Sequence, residues 1–264
     1  MRFDSLREIE TSMTAEVRKL RHVGIKKIPK RSTLSDANVR RNEKFFEDVY
    51  RDLYEQNKDK LSSDSRRNGC EGWIKRLRII DSTTISLFSN AIFKGVGRHP
   101  KRGKKIGGIK VHSVIHANEG VPCDVQFTSA ATNDSFMLAP SYYQYNETND
   151  FDMPLDTIVE IYRRRWQIES LFKQIKHNFP LRYFYGESAN AIKIQIWVTL
   201  IANLLLSLLQ SSLERKWSFS GLATMTRIIL MYYINLATFF NKPDADLKIM
   251  LEQASEPPPE ANKN

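Results

Sequence analysis

Between Ser32 and Asn57 the apolar residues Val39, Phe45, Phe46, Val49, Leu53 and Tyr54 recur mainly at three- and four-residue steps. That period marks one face of a helix. It predicts a helix along "STLSDANVRRNEKFFEDVYRDLYEQN", with Ser35 as N-cap because its hydroxyl can accept from an orphan backbone N–H. Residues 1–72 as a whole read as a polar helical region that ends in the Gly-containing stretch "KLSSDSRRNGCEG", a linker by its turn chemistry. The pattern then changes. "RLRIIDSTTISLF", 76–88, is short, β-branched and apolar on both faces, as in a sheet covered by helices. "GIKVHSVIHA", 108–117, gives a second strand, and Val121, Cys123, Val125 and Phe127 alternate with polar partners in a third. The "NEG" turn between them predicts a hairpin. Helical pattern returns from Leu155 to Phe179, stops before Pro180, and continues over 186–212 and about 218–240. Phe219, Met225, Tyr232, Tyr233, Phe239 and Phe240 are expected in the core of the last helices. Residues 141–154 show no period, and no internal repeat is present. The Pro-rich tail 251–264 is expected to be disordered. The expected division is therefore a helical region over 1–72, a core over 73–212, carboxyl-terminal helices over 213–250, and the tail.

Charge narrows the class. The 264 residues hold 40 Lys and Arg against 30 Asp and Glu, a formal net charge of +10. Such a balance favours a polyanionic partner, nucleic acid ahead of an anionic membrane. The stretch "IKIQIWVTLIANLLLSLLQ", 192–210, contains Lys193, Gln195, Asn203 and Gln210. Its uncharged run falls near the lower limit of the roughly 17–25 residues that cross a bilayer, so a buried core helix and no membrane association are expected. Cys70 and Cys123 are far apart and form no zinc or disulfide pattern. The amino terminus lacks the apolar run of a signal peptide. Both features favour a reducing, cytoplasmic location.

Two carboxylates carry the candidate chemistry. In "YRRRWQIESLFKQIK", residues 162–176, Tyr162, Arg165, Glu169 and Lys176 project from one side of a helix. On spacing alone this could be an amphipathic surface with an Arg165–Glu169 pair, worth about 0.2–0.5 kcal/mol. Asp81 lies in the most apolar strand, where an ionised carboxylate is costly unless paired or metal-bound. It could simply bond to Ser82 or Thr83. A strand Asp followed by a helix Glu in a basic chain is also the arrangement that holds divalent metal for phosphodiester chemistry, with oxygen donors suited to Mg²⁺. On the residues alone both alternatives stand. Residues 94–110 carry Lys94, Arg98, Lys101, Arg102, Lys104, Lys105 and Lys110 among glycines with no acid. This is either a mobile exposed loop or an arm lying on phosphates, and the latter is favoured. His112 and His116 share a strand face and are not expected to form a metal pair.

Tyr162-x₂-Arg165-x₃-Glu169-x₆-Lys176 resembles the Tyr-Arg-Glu-Lys signature of bacterial insertion-sequence DDE transposases. "IIDSTT" resembles their first-Asp strand and "GGIKVHSVIHANEGVP" the hairpin after it. "RSTLSDANVRR" and "GESANAIKIQIW" resemble their amino-terminal segment and the helix after the signature. The resemblance implies an α/β ribonuclease-H-like core of mixed sheet and helices over 73–212, with three acids binding Mg²⁺ or Mn²⁺, and a helical DNA-binding region over 1–72. Asp81 would be the first acid and Glu169 the third, with Arg165 and Lys176 on phosphates and Tyr162 packed against the backbone. It implies hydrolytic nicking at the element's ends in double-stranded DNA, then attack of the freed 3′-hydroxyl on target DNA, with no covalent protein–DNA intermediate. A nucleoid-associated cytoplasmic protein is expected, as a homodimer or a mixed oligomer with intact transposase. One departure stands out. The family's middle acid, on a fourth strand followed by a β-rich insertion, has no counterpart here. "SFMLAPSYY" resembles the region before it, and "NETNDFDMPLDTIVEIYRRRW" the region after the insertion. This predicts an internal deletion with its junction near Tyr142 to Asn146, on the order of a hundred residues, the size of a sub-domain. Asp134, Asp150 and Asp152 are nearby but lack strand context. Impaired catalysis is expected, as are a bared edge on the Asp81 strand and poor solubility. The alternatives are a non-catalytic DNA-binding remnant that occupies the ends or inhibits intact transposase, and a membrane-surface protein.

Overall fold

The computed structural model of the chain describes residue 3 and residues 5–22, 24–61, 77–87, 107–117, 119–132, 155–179, 181, 183–230 and 235–243. Four helices form the amino-terminal region: α1 (Leu6–Ala15), α2 (Val17–His22), α3 (Arg31–Arg40) and α4 (Glu43–Leu61). The apolar period therefore does not produce one continuous helix. Arg41 is extended, and Asn42 Oδ1 accepts from the Lys44 N–H at 2.9 Å, since a short polar side chain competes well for backbone donors at a helix start. Ser35 is not an N-cap. It lies inside α3, which starts after an extended Lys30 that offers no side-chain cap. The buried face of α4 is set by Tyr50 and Tyr54, with Phe46 and Leu53 packed beside them, whereas Phe45 of the same helix and Val39 of α3 are exposed.

Strands β1 (Arg78–Leu87), β2 (Gly107–His116) and β3 (Pro122–Ser129) form a sheet in the order β1-β2-β3. Both pairings are antiparallel, and helices with this small sheet agree with the α/β class expected. The predicted hairpin is present as β2–β3. Its register shifts between Val114 and Ile115, whose partners are Asp124 and Pro122. Cys123 is the extra residue of this bulge, and its Sγ donates to the Val114 carbonyl at 3.3 Å.

Four further helices are described: α5 (Leu155–Asn178), α6 (Ala189–Ser212), α7 (Phe219–Ile229) and α8 (Leu236–Asn241). The periodic stretch 218–240 is thus divided, because Asn235 caps a new helix by accepting from the Thr238 N–H at 3.1 Å. Phe219, Phe239 and Phe240 are buried as expected, and Met225 packs against the cluster that holds Phe239 and Phe240. Tyr232, Tyr233 and the tail lie outside the described residues.

The main core lies between one face of the sheet and helices α4, α5 and α6. Ile79, Ile85, Ile109 and Val111 meet Phe172, Ile175, Ile196 and Trp197 there, each burial worth about 1.5–3 kcal/mol. The Trp197 ring lies 5.6 Å from Tyr50 and 5.4 Å from Phe127 between centroids, which joins α4, α6 and β3. α6 is long and apolar enough to cross a membrane by composition alone. Here its Ile192, Ile196, Trp197, Leu200 and Leu204 are core residues, as the core-helix reading predicts. The other face of β1 is not buried. Ile80, Thr84 and Ser86 are exposed, contrary to the expectation of a strand apolar and covered on both sides.

Candidate active site

Asp81 sits on the face of β1 that the helices cover. Side chains directly opposite each other in a sheet share a face, and Asp81 pairs with Ser113. Ser113, Thr83, Ile85 and Val111 line a void of about 20 Å³ together with Phe172, Ile175 and Lys176 of α5. The Asp81 carboxylate accepts from the Ser82 N–H at 2.8 Å, so the local partner foreseen for it is present.

Two hydrogen bonds fix how α5 lies on β1. Near its carboxyl end, Lys176 Nζ donates to the Thr84 carbonyl at 3.0 Å. Towards its amino end, Arg164 Nη1 donates to the Ala117 carbonyl at 3.2 Å. Ala117 itself donates to Leu77, just before β1, at 3.0 Å. α5 therefore runs along β1 in the same direction. Glu169 precedes Lys176 by two helical turns, about 10.5 Å. Asp81 precedes Thr84 by three strand residues, about 10 Å. Glu169 shares a side of α5 with Lys176, and Asp81 lies on the covered face of β1, whereas the anchor at Thr84 is its backbone carbonyl; this register brings the Asp81 and Glu169 positions to one level along strand and helix.

Glu169 Oε1 accepts from Arg165 Nη2 at 3.1 Å, the other bland partner foreseen. Arg165 also lies over the Tyr162 ring, 5.8 Å from its centroid. Tyr162, Arg165, Glu169 and Lys176 thus share a side of α5, as their spacing predicts. Crowding against β1 lowers the Lys176 pKa from the usual lysine value. The donor set at the Asp81–Glu169 level is oxygen only, which suits Mg²⁺ or Mn²⁺ over softer ions. No group of three His, Cys, Asp or Glu side chains fit to hold a metal exists among the described residues. Lys101, Arg102, Lys104, Lys105, Asp134, Asp150 and Asp152 lie outside the described residues. His112 is buried, with Nε2 2.7 Å from Thr128 Oγ1, a satisfied core histidine. Sequence reasoning missed Arg164 as the second anchor of α5. Nothing local separates it from Arg163 and Arg165, and only its contact with the hairpin end does so.

The chain matches the transposase DDE domain family over residues 72–145 and 140–205, two stretches that overlap at their junction. A protein of Sinorhizobium fredii named as transposase y4zB is 42% identical over 59 residues, 22% of this chain and 17% of that protein. A Synechocystis protein named as a transposase for insertion sequence element IS4SA is 46% identical over 54 residues, 20% of this chain and 16% of its own length. A Geobacillus stearothermophilus protein named as a transposase for insertion sequence element IS5377 is 26% identical over 94 residues, 36% of this chain and 22% of its own. The matches span less than a quarter of each relative. No solved structure matches the chain.

Proposed function

Because the chain belongs to the transposase DDE domain family, we propose that Asp81 and Glu169 are the first and third acids of an insertion-sequence transposase whose middle acid is missing. Transposition is the function of the family, which acts on DNA and uses divalent metal ions. The finer reading is a ribonuclease-H-like core in which these two residues hold Mg²⁺ or Mn²⁺. When bound, the ion supplies the Lewis acidity that activates an attacking oxygen at a phosphodiester and stabilises the leaving one. Arg165, paired with Glu169 in the free chain, turns to a phosphate when DNA is bound. Lys176, held at the edge of the same strand, adds a second cation, and Tyr162 packs against the backbone. Lys101, Arg102, Lys104 and Lys105 act as a basic arm on the duplex. The observation that carries the reading is the register of α5 on β1, set by the Lys176–Thr84 and Arg164–Ala117 bonds.

The family match in two stretches that meet at 140–145 supports an internal deletion near Tyr142 to Asn146. With only two acids at one level, metal binding and strand nicking are weakened. That favours a second reading, a DNA-binding remnant that occupies element ends or joins intact transposase in mixed oligomers. A nicking assay with Mn²⁺ on DNA carrying the flanking inverted repeats separates the two. The expected outcome is slow Mn²⁺-dependent nicking by the wild type that disappears in both Asp81→Ala and Glu169→Ala. Binding without any nicking would move the chain to the second reading. Nicking that survives either substitution would remove that residue from the site.

A further inference from the structure

Three arginines follow one another at 163–165, and the fold separates them. Arg163 and Arg165 are exposed, whereas Arg164 is half-buried and reaches the end of β2. Its Nη1 donates to the Ala117 carbonyl at 3.2 Å. That carbonyl stands in a firm frame. Ala117 is fully buried and donates to the Leu77 carbonyl just before β1. The turn beyond it is pinned to α4. There the Tyr54 hydroxyl donates to Glu119 Oε2 at 2.6 Å and the Tyr50 hydroxyl to the Pro122 carbonyl at 2.7 Å.

The grip on α5 is uneven. Its buried apolar residues Ile168, Leu171, Phe172 and Ile175 all lie in the carboxyl half. The same half is tied to β1 by Lys176, to α6 by Gln174 Nε2 donating to Asn203 Oδ1 at 3.1 Å, and to α7 by Arg227 donating to the Asn178 carbonyl. In the amino half Leu155, Val159, Tyr162 and Trp166 are exposed. Among the described residues, the tie from that half to the sheet is Arg164. Glu169 follows Arg164 by about 7.5 Å along the axis, at the boundary between the firmly and the lightly held parts. A charge-assisted bond is roughly twice as strong as a neutral one, and metal ligands need placing to within about 0.5 Å. We propose that Arg164 is a positioning residue for the candidate site. By fastening the amino half of α5 to the end of β2 it keeps Glu169 level with Asp81, and it touches neither metal nor DNA. The inference rests on the transposase reading and adds to it a residue outside the set Tyr162, Arg165, Glu169 and Lys176.

Mn²⁺ binding by the full chain, read from the loss of the free ion's electron paramagnetic resonance signal, tests it. Asp81→Ala should abolish the site. Arg164→Ala should weaken it roughly tenfold or more, since residues that orient metal ligands are worth about 10–100-fold in affinity. Arg164→Lys, with one donor group on a stem of similar length, should recover part of the loss. Arg164→Gln keeps much of the packing but falls short of the carbonyl, and it replaces the alanine variant if that one melts early. The salt slope of duplex binding should not change in Arg164→Ala, whereas a lost phosphate contact would lower it by about 0.9. Wild-type Mn²⁺ affinity in the alanine and glutamine variants, or a slope lowered by that amount, would overturn the positioning role and leave Asp81 and Glu169 in place. An equal loss of Mn²⁺ affinity in Ser188→Ala, far from the site at the cap of α6, would reduce the effect to general destabilisation and overturn it too. Mn²⁺ binding that survives Asp81→Ala would instead overturn the site on which the inference rests.

Discussion

Cys123 and His116, at the two sides of the β2–β3 turn, show how burial alone resets the chemistry of a side chain. Burial pushes the Cys123 thiol up to about 11, so at neutral pH it is a small apolar group and not a nucleophile. Burial also lowers the His116 pKa, with Arg78 and Lys58 adding to the effect and Glu119 opposing it. The sign follows directly. In the unfolded chain His116 takes up its proton near pH 6.5, whereas in the fold it stays neutral to a lower pH. The unfolded state therefore binds more protons in that window, and stability is lost as pH falls from about 6.5 towards the lowered value. His116→Gln should flatten this loss in urea-unfolding series between about pH 5 and pH 8. An unchanged slope would assign the acid sensitivity to another group. At the same scale Asp81 and Glu169 each keep the modest local partner that their surroundings suggest, Ser82 and Arg165. A pairwise contact is compatible with both the bland and the catalytic reading. What separates them is where the elements carry the two residues.

Asn190 decides the layout of the amino-terminal elements. From the first turn of α6 its Nδ2 donates to the Asn38 carbonyl at 3.0 Å and the Arg41 carbonyl at 2.7 Å, while its Oδ1 accepts from the Glu43 N–H at 3.1 Å. One side chain thus satisfies the end of α3 and the start of α4, groups that a helix leaves without internal partners. The nearby Lys193–Glu43 ion pair at 2.5 Å closes the same junction. Asn190→Ala should cost roughly 2–3 kcal/mol, since each orphaned backbone group costs about 1 kcal/mol or more. Ser188→Ala, which removes only the local cap of α6, should cost about 1 kcal/mol. Equal urea midpoints for the two variants would refute the bridging role. A period of three and four residues announces helices well, so α4, α5 and α6 were readable in the sequence. It does not announce where a remote side chain cuts one helix into two, which is why the α3–α4 break and the misplaced cap at Ser35 escaped it.

For the molecule as a whole, the apolar strand carrying Asp81 is the weak point. β1 pairs only with β2 among the described residues, and Ile80 is 38% exposed on the uncovered face. A ten-residue strand with an open edge and an exposed Ile80 invites pairing with another chain. Ile80→Lys should reduce aggregation, measured by light scattering, without lowering the melting temperature. Unchanged aggregation would direct attention to the exposed stripe of Leu155, Val159, Tyr162 and Trp166 on α5. The sequence by itself determined the kinds of elements, the antiparallel hairpin, the basic charge, and the carboxylates and cations that make up the candidate site. These are written in local periodicity and residue chemistry. Only the tertiary structure decided the register of α5 on β1, the end-to-end capping by Asn190 and the inward turn of Arg164 between two exposed arginines. Each of these depends on hydrogen bonds between residues 47 to 152 positions apart, and no local pattern encodes them.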